Sequence, residues 1–443
     1  MIQKLLVANR GEIASRIIRT CKKMNIETVA VFSEADRDAK FVEEADESYL
    51  LGPAQAQKSY LNIDKIIEIA KKAKVDAIHP GYGFMSENHM FASRCKDEDI
   101  IFIGPEPEVL QKMGDKITAR KMMKEAGVPV IEGTEEAVDL EAAISVAKKI
   151  GYPIMLKAAS GGGGIGLQVV HDEEQLKQTF ESNAKRAQSF FGDGAMFIEK
   201  LIPRARHIEI QVLADHDGNV VHLFERECSI QRRNQKVIEE APSSFLSDKT
   251  RQVMGEMALQ AVKRIGYTNA GTIEFLVDED ENFYFLEMNT RIQVEHPITE
   301  EITGIDLVEA QIEIAQGKQL TYLENDIKME GHAIEARIYA EDPNNFYPSP
   351  GTITTYEEPN NANLRIESSV RTGSEVTPFY DPMIAKLIAT GNTRDEAIVS
   401  LKEGLLQYKI DGIKTNIPML LKVLEHEQFK AGKITTNFVN ENI

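Results

Sequence analysis

Between Gly271 and Pro297 the chain carries two apolar-rich strands, roughly 272–278 and 283–289, around the acidic turn Glu279-Asp-Glu-Asn282. If those four residues form the loop, 278 pairs with 283, and counting back along an antiparallel ladder sets Glu274 opposite Glu287. Directly opposed carboxylates repel, so the pairing is unfavourable unless a cation sits between them. Oxygen-only ligands suit Mg²⁺ or Mn²⁺. Asn289 falls on the same strand face as Glu287. Alternation continued through Arg291, Gln293 and Glu295 would line one edge with metal ligands, then a cation, then a carboxylate. The competing reading is a surface hairpin with solvated acids.

The first hundred residues alternate short apolar strands with amphipathic helices: strand Lys4–Asn9, helix Glu12–Met24, strand Thr28–Phe32, helix Ile63–Ala73, strand Ala77–His79 and strand Ile100–Ile103. This predicts a Rossmann-like parallel sheet with right-handed crossovers. Its first turn, Ala8-Asn-Arg-Gly-Glu12, lacks the Gly-x-Gly-x-x-Gly spacing, which disfavours a nicotinamide site. A connecting helix follows at Leu110–Ala126. A small α/β unit then holds helix Leu140–Ile150, strand Ile154–Ala158, a glycine loop, strand Leu167–Val170, a helix from Glu173 and strand Met196–Glu199. The remainder mixes strands such as His207–Leu213 and Val220–Glu227 with helices such as Lys249–Ile265 and Leu307–Gln316, an α+β pattern. The expected division is 1–113, 114–203 and 204–443.

A chain of 443 residues can bury sizeable cores, and 42% hydrophobic residues exclude wholesale disorder. The net charge of −19 argues against nucleic acid or an anionic membrane as the main partner. Cys21, Cys95 and Cys228 fit neither a disulfide framework nor a zinc spacing and read as buried or idle thiols in a reducing cytosol. No secretory signal and no run of 18 apolar residues is visible, so the expected location is cytoplasmic with no membrane span.

Ser160-Gly-Gly-Gly-Gly-Ile-Gly166 lies between two strands, where consecutive glycines let backbone N–H groups approach phosphate oxygens; a flexible hairpin is the alternative. Lys157 ends the preceding apolar strand, where burial without an anionic partner is costly. Lys116 on the connecting helix is a second candidate cation. Glu225–Lys236 concentrates four cations, either a solvated run or, with Arg291 and Arg337, a bidentate carboxylate or carbonate site. His79-Pro-Gly-Tyr82-Gly-Phe-Met-Ser-Glu87 ends a strand where ligands sit in such sheets, although a lone His79 is more often structural.

Taken together, these segments resemble the ATP-grasp enzymes and, within them, the biotin carboxylases. The match runs through Ala8-Asn-Arg-Gly-Glu-Ile-Ala14, His79-Pro-Gly-Tyr-Gly-Phe84, Met113-Gly-Asp-Lys116, the glycine loop, Gln231-Arg-Arg233, Glu287-Met-Asn-Thr-Arg-Ile-Gln-Val-Glu-His-Pro297 and Asp411-Gly-Ile-Lys-Thr-Asn416. The resemblance implies an N-terminal α/β domain, an ATP-grasp lid and a C-terminal α+β domain. Lys116 and Lys157 would hold ATP phosphates under Gly163 and Gly164. Glu199, Lys200 and Ile202 would grip adenine, and His207, Glu209, Gln231 and Asn234 would line the nucleoside pocket. Glu274, Glu287 and Asn289 would bind Mg²⁺ or Mn²⁺, two ions in all. Lys236, Arg291, Gln293, the Val294 backbone and Glu295 would hold bicarbonate, with Tyr82 beside the substrate and Arg337 facing biotin. The chain departs from the family at Asn234, often His, and at Ile165, often a cation.

The implied activity is the first half-reaction of an acetyl-CoA or other acyl-CoA carboxylase, with Glu295 as base. No Ala-Met-Lys-Met biotinylation motif occurs, so biotin is expected on a separate biotin carboxyl carrier protein, alongside carboxyltransferase subunits and a second copy of the chain in a homodimer. A different ATP-grasp carboxylate–amine ligase would share the lysines and metal acids without needing Arg291, Gln293 and Glu295. A non-catalytic nucleotide sensor would have lost one of Glu274 and Glu287.

Overall fold

The computed structural model describes residues 1–159 and 166–443. The first hundred residues form a five-stranded parallel sheet in the order Glu47–Gly52, Glu27–Ser33, Lys4–Val7, Ala77–His79, Ile101–Phe102. Leu5, Leu6 and Val7 are all fully buried, because helices cover both faces of such a sheet and its central strands need no alternation. The helices Gly11–Lys23 and Ile63–Ala73 lie where the apolar spacing puts them. The half-exposed edge strand Glu47–Gly52 and the helix His89–Asp97, weakly amphipathic with three buried residues, carry signals too faint to have been read. Where strand order reverses, between Lys4–Val7 and Ala77–His79, the Asn9 amide donates to the carbonyls of Pro80 and Tyr82, each at 2.7 Å. The chain thus spans its own switch point, the place where dinucleotide-binding sheets take a ligand.

The single connecting helix expected at Leu110–Ala126 is two, Pro107–Gly114 and Lys116–Glu125. Asp115 breaks them. Its backbone is extended, and its carboxylate accepts the Thr118 N–H at 2.6 Å, capping the second helix. Next comes a three-stranded antiparallel sheet, Leu167–Val170, Ile154–Ala158, Met196–Lys200, sharing a small core with helices Leu140–Ile150 and Glu173–Phe191. The incoming segment runs so close to Met196–Lys200 that a Cβ on Gly133 would fall 2.2 Å from the Ile198 carbonyl oxygen, so only glycine fits there. Gly163, Gly164 and Ile165 of the glycine loop lie outside the described residues.

One eight-stranded antiparallel sheet organises the rest: Phe283–Asn289, Asn269–Val277, Arg206–Ala214, Val220–Arg232, Gln235–Ala241, His332–Tyr339, Met383–Gly391, Leu364–Ser368. Helices Asp248–Ile265 and Arg394–Gln407 each pack into an apolar core on it. All nine residues of Arg206–Ala214 are buried, including Arg206, His207, Glu209 and Gln211. Charged groups inside a sheet need partners, and these cluster at one place.

Candidate active site

Glu274 does pair with Glu287, but by another route than the one counted from sequence. Val277 pairs with Phe283, so the loop is 278–282, one residue longer than expected. The Asp278 carboxylate accepts the N–H groups of Asp280 and Asn282 at 3.0 and 2.9 Å and closes that loop. Leu286 then bulges between Phe285 and Glu287 and restores the count. The expected alternation beyond Asn289 does not occur. Residues 290–295 leave the ladder, and helix His296–Thr303 starts with Pro297 in its first turn, Glu295 standing at its N-cap. Arg291, Gln293 and Glu295 meet because the chain curls, not because it pleats.

They meet in a cleft of about 430 Å³ between the small lid sheet and the eight-stranded sheet. Lys236 is its hub, donating to Glu209 at 2.6 Å, Glu295 at 2.7 Å and Glu274 at 2.8 Å. Burial opposes the Lys236 charge, yet Cys228 and the three carboxylates raise its pKa well above the lysine range. Burial likewise opposes the charge on Glu295, but Lys236, Arg337 and Arg226 hold its carboxyl well below the usual range. Glu274 behaves the same way: Lys236 and His207 outweigh burial. Its carboxylate also accepts from Asn289 at 2.8 Å and Gln293 at 2.9 Å, and His207 Nε2 lies 2.9 Å away.

Arg291 reaches Glu87 at 3.1 Å, Asn289 at 2.9 Å and Gln293 at 3.1 Å. Arg337 is held between Glu239 at 2.6 Å and Glu295 at 2.9 Å. Lys157 has found its anion within the chain: Glu199 lies 2.5 Å away. The more exposed Lys116 and Glu287 face one another at 3.8 Å. Lys200, Ile202, Gln231 and Val294 also line the cleft, with Gln231 Nε2 3.1 Å from His207 Nδ1. Asn234 lines it from the tight turn between Val220–Arg232 and Gln235–Ala241. Arg233 and Asn234 there have φ of 52° and 62°, a left-handed turn that itself favours Asn.

Two expected residues sit elsewhere. Glu209 does not line the cleft: it is fully buried beneath Lys236, with Arg226 Nε donating to it at 2.6 Å. It shares a sheet face with its ladder partner Glu274, but Lys236 covers it. Tyr82 does not line the cleft either; its hydroxyl donates to Glu12. His79 is structural, fully buried and accepting the Gly81 N–H at 3.0 Å. Burial pushes its pKa down to about 3.

Sequence reasoning missed several partners. Arg226 is fully buried and bridges Glu209, Gln211, Thr272 and Thr299. The Cys228 thiol lies 3.8 Å from Glu295, so this cysteine belongs to the site. Glu239 is fully buried, and burial lifts its pKa to about 7, with Arg337 lowering it and Glu295 raising it. Charged residues inside the strands Val220–Arg232 and Gln235–Ala241 were the one available signal. For a divalent ion, Glu274, Glu287 and Asn289 offer two opposed carboxylates and an amide oxygen, a donor set that suits Mg²⁺ or Mn²⁺.

An ATP-binding architecture occupies the centre of the chain: residues 115–323 match the family described as Carbamoyl-phosphate synthase L chain, ATP binding domain. Residues 1–110 match Biotin carboxylase, N-terminal domain, and 335–441 match Biotin carboxylase C-terminal domain. Biotin carboxylase 2 of Bacillus subtilis is 60% identical over the full length of both chains. A pyruvate carboxylase subunit of Methanothermobacter thermautotrophicus is 52% identical, over 100% of this chain and 90% of that one. The Campylobacter jejuni biotin carboxylase structure superposes with a TM-score of 0.98 at 47% identity, covering 100% of this chain and 99% of that chain. The biotin carboxylase domain of Hydrogenobacter thermophilus 2-oxoglutarate carboxylase, solved with MgADP, ADP and bicarbonate, gives a TM-score of 0.97 at 47% identity, covering 100% and 98%. The chain belongs to the biotin carboxylase family.

Proposed function

We propose that this chain carboxylates biotin with ATP and bicarbonate, and that the cluster around Lys236 is where bicarbonate is activated. The observation that carries the reading is the single contact set Lys236–Glu295–Arg337: a buried carboxylate, kept ionised, between two cations. Such a carboxylate is a weak base while both cations hold it. An incoming bicarbonate would compete for Lys236, Arg291 and Gln293, loosen that hold and raise the basicity of Glu295 as the proton transfer demands.

Glu295 takes the bicarbonate proton, and the carbonate oxygen attacks the γ-phosphorus of ATP, expelling ADP. Lys116 and Lys157 hold the phosphates, which requires Lys157 to exchange Glu199 for phosphate. Glu199, Lys200, Ile202, His207, Gln231 and Asn234 surround the nucleoside. Glu209 acts from below by fixing Lys236. The carboxyphosphate so formed splits into CO₂ and phosphate. The phosphate takes the biotin N1′ proton, N1′ attacks CO₂, and Arg337 stabilises the biotin anion. Glu274, Glu287 and Asn289 would hold Mg²⁺ or Mn²⁺, which supplies charge neutralisation on the phosphates. Residues 1–113, 114–203 and 204–443 act as frame, closing lid and catalytic body. A carboxylate–amine ligase has no use for Arg291, Gln293 and Glu295 converging on one anion.

Biotin would come on a carrier protein, with carboxyltransferase subunits completing the reaction and a homodimer as the working unit. The Bacillus subtilis relative of the same span and its Methanothermobacter thermautotrophicus counterpart support this organisation. Among the described residues no helix is long and apolar enough to cross a membrane. The three buried cysteines, none of them in a disulfide, support a cytoplasmic location. ATP hydrolysis by the purified chain should rise with both bicarbonate and biotin. Hydrolysis indifferent to both, or driven instead by an amine and a carboxylate, would sink the reading.

A further inference from the structure

We infer that His296 and Lys386 are positioning residues that aim the Val294 backbone N–H at the bicarbonate; the inference rests on the bicarbonate reading above. Neither lines the cleft. A trans peptide carries its C=O and N–H on opposite sides, so fixing one carbonyl fixes the direction of the N–H in the same unit. The Gln293 carbonyl shares a peptide with the Val294 N–H, and His296 Nδ1 lies 2.7 Å from it. The next carbonyl, that of Val294 itself, accepts from Lys386 Nζ at 2.7 Å. Both peptides flanking Val294 are therefore held from behind by their carbonyls. The Val294 N–H, at the cleft wall, donates to no acceptor among the described residues. A fixed, unspent backbone donor beside cations is the arrangement that binds an anion.

Both holders suit the task. His296 is fully buried at the start of helix His296–Thr303. Burial first, then the nearby charges of Lys386, Arg16 and Arg365, keep its imidazole neutral. A neutral ring facing a carbonyl must carry its proton on Nδ1. Lys386 is fully buried too, 3.2 Å from Glu12, which in turn accepts the Tyr82 hydroxyl. Tyr82, Glu12, Lys386 and Val294 thus form one chain from the N-terminal domain to the anion wall. Tyr82 influences the site along that chain and not by lining the cleft.

Two variants of the full chain test this: His296→Phe, which keeps a ring and removes the short side-chain donor, leaving only the longer 3.4 Å bond from the backbone N–H of residue 296, and Lys386→Met combined with Glu12→Gln, which removes both charges together. Thermal melts establish that each folds, and if one does not, the other carries the test. Each should raise KM for bicarbonate about tenfold or more, the scale of one misaimed hydrogen bond to a charged group, while KM for ATP stays within about twofold. His296→Asn, whose side-chain amide can replace Nδ1–H, should recover most of the loss. An unchanged bicarbonate KM in the folded variants, or an equal rise in both KM values, overturns the inference. Arg291→Ala separates the two levels. If it raises bicarbonate KM and the positioning variants do not, only the positioning inference fails. If it too leaves bicarbonate KM unchanged, the bicarbonate reading itself fails.

Discussion

Replacing Glu295 by Gln changes two things that the structure lets one separate. Gln cannot take a proton from bicarbonate, so biotin-dependent turnover should fall by about 10²-fold or more, the scale of a positioned base. ATP should still bind. The variant also withdraws a negative charge from Lys236 and Arg337. Neither cation is stranded: Lys236 keeps Glu209 at 2.6 Å and Glu274 at 2.8 Å, and Arg337 keeps Glu239 at 2.6 Å. The stability cost should therefore stay below the about 3–5 kcal/mol of a fully orphaned buried partner, nearer about 1–2 kcal/mol for two weakened charged hydrogen bonds. Its pH dependence has a definite sign. Because the folded state depresses the Glu295 pKa, its stabilisation is complete above the unfolded carboxylate value of about 4.3 and is lost as pH falls through the lower folded value. Melts of wild type and Glu295→Gln should differ by a constant amount at neutral pH and converge on acidification. Near-normal biotin-dependent turnover, or a melting gap that persists undiminished in acid, would refute the reasoning.

Glu274→Gln should both destabilise the fold and weaken phosphoryl transfer, since it unsettles Lys236 and His207. Glu287→Gln, at a half-exposed carboxylate, should raise the Mg²⁺ requirement in a metal titration with little change in melting; unchanged metal titrations in both would remove the metal assignment. Glu239 has its pKa raised to about 7, so the folded state holds a proton that the unfolded state releases from about pH 4.5 upward. Its contribution to stability thus falls between about pH 4.5 and 7, and Glu239→Gln should flatten stability over that window; an identical pH profile would show that Glu239 does not titrate there. Asn234→His should lower KM for ATP and leave kcat nearly alone, as uniform binding is added; a changed kcat at constant KM would place residue 234 away from the ribose.

Much of the frame was legible because it is local. Helices Ile63–Ala73 and Leu140–Ile150 and strands Ala77–His79, Ile154–Ala158 and Leu167–Val170 follow from apolar spacing and punctuation alone. The Glu274–Glu287 pair was found through two compensating errors, a loop one residue too short and an unseen bulge at Leu286. Periodicity cannot report a bulge. It could not show that residues 290–295 curl back, since that depends on where helix His296–Thr303 docks. Partners distant in sequence stayed hidden for the same reason: Lys157 with Glu199, Arg337 with Glu239, and Lys386 with Val294 are set by strand neighbours and packing. Cys228 was read as buried or idle; it is buried, but nothing in its spacing says that Glu295 lies beside it.

The central claim is that bicarbonate, deprotonated beside Lys236 and Glu295, attacks the γ-phosphorus of ATP. In that attack one bicarbonate oxygen becomes bonded to phosphorus and stays there when the C–O bond breaks to release CO₂. With ¹⁸O-labelled bicarbonate, ATP, Mg²⁺ and a biotinylated carrier, mass analysis of the released phosphate should show one ¹⁸O per turnover. Carboxylated biotin forming alongside unlabelled phosphate would contradict the account, because water and not bicarbonate would then be the nucleophile at phosphorus.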